Sequence, residues 1–242
     1  LKEGNLRFGY STGALQPYVG KAQCVRVHEA LTALEADGMP LAGIAAMCQA
    51  LSLVQHQKDE ALRQTLLTLS GPGIPGVPVF DTQALVNSLF HEATREVLIT
   101  SYVFHSAGEI LQPLAKKHDE DDGFRVRVVV DLSHRRTRAR SDYAQISSAF
   151  LKEFRERHWQ GDRLPEIWDD PRQFAGNGAG VMHAKVIVID RITAFVTSAN
   201  FTEAALTRNI EAGVMIRQPR FAERLTTYFE GLMSKQLLRR VV

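Results

Sequence analysis

The chain has 242 residues, of which 45% are hydrophobic and 23% charged, the usage of an ordinary globular protein and not of a disordered tail. Its 29 Lys and Arg against 27 Asp and Glu leave a formal charge of +2, so overall charge steers it toward neither nucleic acid nor membrane, and any basic site is local. At about 150 residues per domain, the length fits one large domain or a compact domain with an appendage.

Two cysteines, Cys24 and Cys48, cannot build a disulfide scaffold or a closed thiolate metal site. Their apolar surroundings suit buried free thiols in a reducing, cytoplasmic setting. The longest apolar runs, Val126–Val130 and Val186–Ile189, fall far short of the roughly 20 residues that span a bilayer, so no stable membrane insertion is expected. The opening residues Leu1–Asn5 lack the form of a secretory leader.

In chain order, residues 1–70 read as helices. Val27, Leu31 and Leu34 recur at helical spacing, then Leu41, Ile44, Cys48 and Leu51, then Leu62, Leu66 and Leu69. Asp37-Gly38-Met39-Pro40 stops one helix and starts the next. Such a region is a small helical bundle that covers part of a second domain or binds a partner. Residues 71–79, rich in Gly and Pro, form either a linker at a domain boundary or an ordered loop lying across the catalytic domain.

From 80 to 242 helices and strands alternate, which predicts an α/β fold, a mixed sheet flanked by helices. Asp81 caps a helix carrying Leu85, Leu89 and Phe90, and a strand follows at Val97–Val103. Ala107–His118 is a helix that must accommodate Pro113. Arg125–Asp131 is a strand with two exterior arginines, and Ser141 or Asp142 caps the helix after it. Leu164–Trp168, Val186–Asp190, Ala194–Ser198 and Ile210–Arg217 are the remaining strands, and Phe221–Met233 is a closing helix. Trp159 and Trp168 read as packing residues. The acidic run Asp119–Asp122 reads as a hydrated turn ahead of Gly123 and not as a metal site.

The segment richest in chemistry starts at His183. On a strand, His183 and Lys185 project to one side while Ala184, Val186 and Val188 face the other. Burying an imidazole and an ammonium together is costly, whereas turning both to a phosphate gives each a purpose. Histidine can attack phosphorus when a carboxylate fixes its tautomer, and lysine supplies charge to the transition state. Ser198 and Asn200, again two apart, offer a hydroxyl and an amide, and Glu211 on the next strand is a carboxylate that can orient His183.

His183, Lys185 and Asp190, the six residues Arg191–Val196, then Thr197-Ser198-Ala199-Asn200 and finally Asn209 and Glu211 resemble the phospholipase D signature. Only Thr197, where that family has Gly, departs from it; its Cβ is expected near the phosphate. The resemblance extends over approximately Phe80–Arg240. It implies a phosphohistidine mechanism with no cofactor and no metal, in which His183 is nucleophile or acid/base. Lys185 and Asn200 would grip the phosphate, Ser198 and Asp190 would support, and Glu211 would hold the imidazole. The other seven histidines begin no second copy of the pattern. Single-copy relatives complete the site by pairing two chains, which implies a homodimer sharing one active site; a hetero-pair or a silent monomer is the alternative.

Arg125, Arg127, Arg135, Arg136, Arg138 and Arg140 fall within sixteen residues opposed only by Asp131. Arg135, Arg136, Arg138 and Arg140 follow a strand end, where binding loops gather, and suit DNA or RNA phosphates. His105, just past the first strand, is expected at the substrate edge. These features favour a nuclease. A phospholipase or phosphatidyltransferase, and a binding or assembly component with little catalysis, remain the alternatives. A helical leader before one such domain is also similar to the phospholipase D-like component of a bacterial antiphage defence system, which implies defence proteins as partners of the helical region.

Overall fold

The computed structural model describes residues 11–15, 24–40, 42–51, 64–76, 80–105, 107–135, 142–175 and 180–242. The chain divides into two compact units, Leu1–Leu62 and Arg63–Val242. In the first, α1 (Thr12–Leu15), α2 (Cys24–Ala36) and α3 (42–51) gather Leu15, Cys24, Leu31 and Ile44 into a small core. Gly38, at φ 78°, makes the turn between α2 and α3, and Pro40 accepts the first N–H groups of α3.

Leu62, the first residue of the expected third helix, lies outside the described residues, and the rest of that stretch is not helical. Leu66 and Leu69 lie in strand β1 (Thr65–Ser70), which belongs to the second unit. Their spacing fits a helix, but the six residues alternate as a strand and pair antiparallel with β10 (Glu211–Arg217), from Thr65 opposite Ile216 to Ser70 opposite Glu211. The boundary therefore lies ahead of β1, not at the Gly/Pro stretch. Residues 77–79 of that stretch are outside the described residues.

The second unit is built on a nine-stranded mixed sheet. Beyond β1 it contains β2 (Phe80–Asp81), β3 (Glu96–Ser101), β5 (Arg125–Val130), β6 (Glu166–Asp169), β7 (Val186–Ile189), β8 (Thr193–Thr197), β10 and β11 (Arg239–Arg240). The order is β11-β6-β5-β3-β7-β8-β10-β1-β2. β3, β5 and β6 run parallel, and β7, β8 and β10 follow as an antiparallel meander. A separate pair, β4 (Phe104–His105) and β9 (Phe201–Thr202), joins the chain beyond β3 to the chain beyond β8.

Alternation along the strands divides the core. Val97, Ile99, Val128, Ile187, Ile189 and Phe195 face one layer, made by α4 (Thr82–Glu92), α5 (Gly108–Glu120), α6 (Tyr143–Glu153) and α7 (Glu203–Thr207). Leu98, Val129, Val186, Val188 and Ala194 face α8 (Pro219–Ser234). Asp81 caps α4 by accepting the Ala84 N–H at 2.7 Å, as expected from the sequence. Pro113 lies inside α5. Asp142 stands at the N-cap of α6 without a side-chain capping bond, and Ser141 is outside the described residues.

Arg127 is not exterior. It is 7% exposed, and its guanidinium donates to Glu96 at 2.6 Å and to Glu230 at 2.7 Å. Arg191 bridges the same two carboxylates, reaching Glu96 at 2.5 Å. The charges at these alternating positions pair with each other instead of with water. The acidic run is also used locally: Asp119 accepts the Asp162 and Arg163 N–H groups, and Asp122 pairs with Arg163. Trp159 is buried among Phe154 and His118, and Trp168 packs against the α8 layer.

Candidate active site

Strand direction decides where the reactive residues meet. β3 runs antiparallel to β7, with Thr100 opposite Val186, so the C-terminal end of β3 lies beside the segment that enters β7. β8 returns to the same edge, and β10 starts there. His183 and Lys185 before β7, Ser198 and Asn200 after β8, and Glu211 at the start of β10 are thereby gathered on one edge of the sheet.

Lys185 is 6% exposed, and its Nζ lies 2.9 Å from Nδ1 and 3.2 Å from Nε2 of the exposed His183 ring, while donating to the His183 carbonyl at 3.0 Å. Burial lowers the Lys185 ammonium below its usual range, and the Glu211 carboxylate pulls it partly back. The Tyr102 ring stands 5.0 Å from that of His183. The ammonium lies within reach of both ring nitrogens, and whichever of them carries no proton can accept from it.

The segment entering β7 is held by backbone contacts. Asp131, fully buried at the end of β5, accepts the Met182 N–H at 3.1 Å with one oxygen and the Ser133 N–H at 2.7 Å with the other. Thr100 donates its hydroxyl to the Ala184 carbonyl at 2.9 Å and accepts the Val186 N–H at 3.0 Å. Asp131 stood out in the sequence only as a strand end, and its partner is 51 residues away.

Glu211 accepts the Ser198 hydroxyl at 2.5 Å, and Ser198 in turn accepts the Ala212 N–H at 3.1 Å. The carboxylate expected to hold the imidazole is thus engaged with serine, while Lys185 is at the imidazole. The Oδ1 atom of Asn200 is buried with no hydrogen-bond partner among the described residues. That oxygen accepts only, so the group of Asn200 able to meet a phosphate oxygen is its NH2. Thr197 turns its hydroxyl inward, accepting the Ala199 N–H at 3.0 Å and donating to the Ala212 carbonyl at 3.2 Å. It braces the Ser198–Asn200 turn. Ser70, at the end of the unexpected strand, donates to the carbonyls of Ala205 and Asn209, both at 2.9 Å, and so fixes the approach to Glu211.

Asp190 is not at this edge. It sits at the opposite end of β7, beside Glu96, and accepts N–H groups from Thr94, Arg95 and Glu96 at 2.8–2.9 Å plus the Thr94 hydroxyl at 2.8 Å. Burial pushes its carboxyl upward, but these bonds outweigh burial and hold it below the usual range. Its left-handed backbone, φ 53°, starts the turn between β7 and β8.

Arg135 donates to Glu153 at 2.6 Å and lies over the Phe150 ring, so it is tied to α6. Arg136, Arg138 and Arg140 lie outside the described residues. His105 is exposed on β4, opposite Thr202 and two residues from the Ala107 N–H that points to the buried His158. Among the described residues, no group of three or more His, Cys, Asp or Glu is placed to hold a metal, and no helix is long and apolar enough to cross a membrane.

The family described as cardiolipin synthase, PLD-like domain, matches residues 86–233, which include the whole His183–Glu211 constellation. The chain belongs to the phospholipase D superfamily. Among solved structures it is similar to Nuc of Salmonella typhimurium, a phospholipase D family member, at 22% identity and TM-score 0.46, covering 73% of this chain and 96% of that one. NucT from Helicobacter pylori matches at 17% identity and TM-score 0.45, over 70% of this chain and 96% of that one. Phosphatidylserine synthase of Haemophilus influenzae matches at 14% identity and TM-score 0.48, over 73% of this chain and 39% of its own. No curated protein matches the chain by sequence. The second unit thus has the α/β fold of the PLD-like hydrolases, a mixed sheet flanked by helices.

Proposed function

We propose that this protein is a phosphodiesterase that cleaves nucleic acid through a phosphohistidine intermediate and needs no metal. The observation that carries this reading is the pair His183 and Lys185 on a sheet edge, 2.9 Å apart, with Asn200, whose amide NH2 can donate to a phosphate oxygen, brought to the same edge. Lys185 and Asn200 bind the non-bridging oxygens. Nε2 of His183 attacks phosphorus, forming an N–P bond as the P–O bond to the leaving group breaks. The leaving oxygen takes its proton from a second imidazole. Water then attacks phosphorus, gives a proton to that imidazole and releases His183.

One chain supplies one such histidine, so the second comes from His183 of another copy in a homodimer sharing one active site. The arginine-rich stretch from Arg135 to Arg140 supplies phosphate contacts along the strand. The separate unit Leu1–Leu62 is the part assigned to partners. A place in an antiphage defence system rests on that architecture, and phage challenge with wild type beside His183→Ala tests it.

The deciding experiment is cleavage of single- and double-stranded DNA, RNA and phospholipid vesicles in EDTA, with His183→Ala alongside. Nucleic-acid cleavage that survives EDTA and is lost in the variant is expected, from a species of twice 27.0 kDa. Strict dependence on added divalent metal, or cleavage of vesicles alone, overturns the reading.

A further inference from the structure

Beside His183 is a cavity of about 250 Å³ whose wall includes Met182, His183 and Ala184 and, from α8, Tyr228 and Leu232. It is smaller than the roughly 300–1,000 Å³ of pockets that engulf a drug-sized molecule, so it suits one ring system and not the paired chains of a diacyl lipid. Tyr228 is 62% exposed, and Phe229 braces its ring edge-on at 5.4 Å. Arg172 stands at the same cavity, its guanidinium clamped by the Asp170 carboxylate, Nε to Oδ1 at 2.8 Å and to Oδ2 at 3.0 Å and Nη2 to Oδ2 at 2.6 Å. Asp170 is 1% exposed, so the guanidinium is fixed by a buried anchor, and its remaining N–H donors, which meet no other partner among the described residues, face a ligand.

An exposed aromatic face, an apolar floor and a fixed guanidinium next to the reacting histidine fit an unstacked nucleobase. We infer that this cavity takes the base adjoining the scissile phosphodiester, stacked on Tyr228, with Arg172 bonding to the base edge or the neighbouring phosphate. The inference rests on the nuclease reading and deepens it: the substrate is a single strand or a locally opened duplex.

The test uses the full-length protein and single-stranded oligodeoxynucleotides in which one abasic sugar is moved along the strand. Wild type is expected to cleave the phosphodiester beside the abasic position roughly tenfold or more slowly than the same bond with its base present, within the range of base–aromatic stacking. In Tyr228→Ala that positional dependence collapses to within about twofold, and Tyr228→Phe restores it, because the ring and not the hydroxyl makes the contact. Equal cleavage of abasic and base-bearing positions by wild type overturns the pocket and leaves the nuclease reading standing. So does an undiminished positional dependence in Tyr228→Ala. No cleavage of these oligonucleotides or of oligoribonucleotides of the same design overturns both.

Discussion

Asp190 accepts the Glu96 N–H at 2.9 Å, at the end of β7 remote from His183, although the two residues stand seven apart in one signature. The signature therefore performs two separable jobs: its histidine and lysine face the reaction edge, and its aspartate ties the start of β3 to the turn after β7. Replacing Asp190 with Ala leaves three N–H groups and a hydroxyl without their acceptor. The expected result is a loss of roughly 3 kcal/mol of stability, read by chemical denaturation. The folded fraction, measured well below the transition, keeps the wild-type KM.

Lys185 gives the opposite pattern. Lys185→Met keeps the apolar stem and removes the charge, so stability changes little or improves, because a buried ammonium no longer has to be accommodated. Turnover is expected to fall roughly 10²- to 10³-fold, the usual loss when one transition-state donor is deleted. A variant with near-normal turnover would show that Lys185 has no part in the chemistry.

The paired charges of Arg127, Glu96, Arg191 and Glu230 make a third case. Arg127→Met leaves Glu96, 6% exposed, with Arg125 and Arg191 as its ion-pair partners among the described residues. Breaking one partner out of a buried ionic set costs about 3–5 kcal/mol, which thermal and urea denaturation both detect. Arg125→Met, at an exposed position 3.5 Å from Glu96, is expected to cost less than about 1 kcal/mol.

Asp169, at the end of β6, has its carboxyl pushed up to about 7 by burial, with Asp131 and Asp170 adding to the effect and the Leu132 N–H and Arg239 opposing it. In the unfolded chain the group ionises near 3.8, so between that value and about 7 only the folded chain keeps the proton. Stability from this group is full at low pH and is lost as pH rises through that window, by up to roughly 4 kcal/mol. Asp169→Asn removes the titration. The difference in unfolding free energy between wild type and variant should therefore slope between pH 4 and about 7 and be flat above it. Comparing the two proteins cancels the contribution of His158, whose burial favours the neutral ring and has the opposite pH slope.

Much of the second unit was legible because its central strands are short runs of Val and Ile buried on both faces, which few other structures accommodate. The stretch from His183 to Glu211 carries the candidate residues His183, Lys185, Ser198, Asn200 and Glu211 at intervals that bring them to one edge, so that gathering could be read from local spacing. Three features could not. Strand β1 hides in a leucine spacing that serves a helix equally well, and only its partner β10, about 140 residues later, selects the strand. Arg127 reads as solvent-facing because its carboxylate partners lie 31 and 103 residues away. The exchange of partners between Lys185 and Glu211, with lysine on the imidazole and carboxylate on Ser198, depends on side-chain directions that no residue type dictates.

Anyone dividing this protein for study inherits a consequence of β1. A fragment cut at the Gly/Pro stretch and starting at Phe80 keeps every reactive residue but discards the strand paired along the whole of β10. The backbone groups of that seven-residue strand would become a bare hydrogen-bonding edge, open to pairing with any neighbouring chain. Such a fragment would also lose the Ser70 hydroxyl that secures the loop before Glu211. It would mimic an inactive, aggregating enzyme for reasons unrelated to its chemistry, whereas a cut ahead of Gln64 keeps β1 paired on β10.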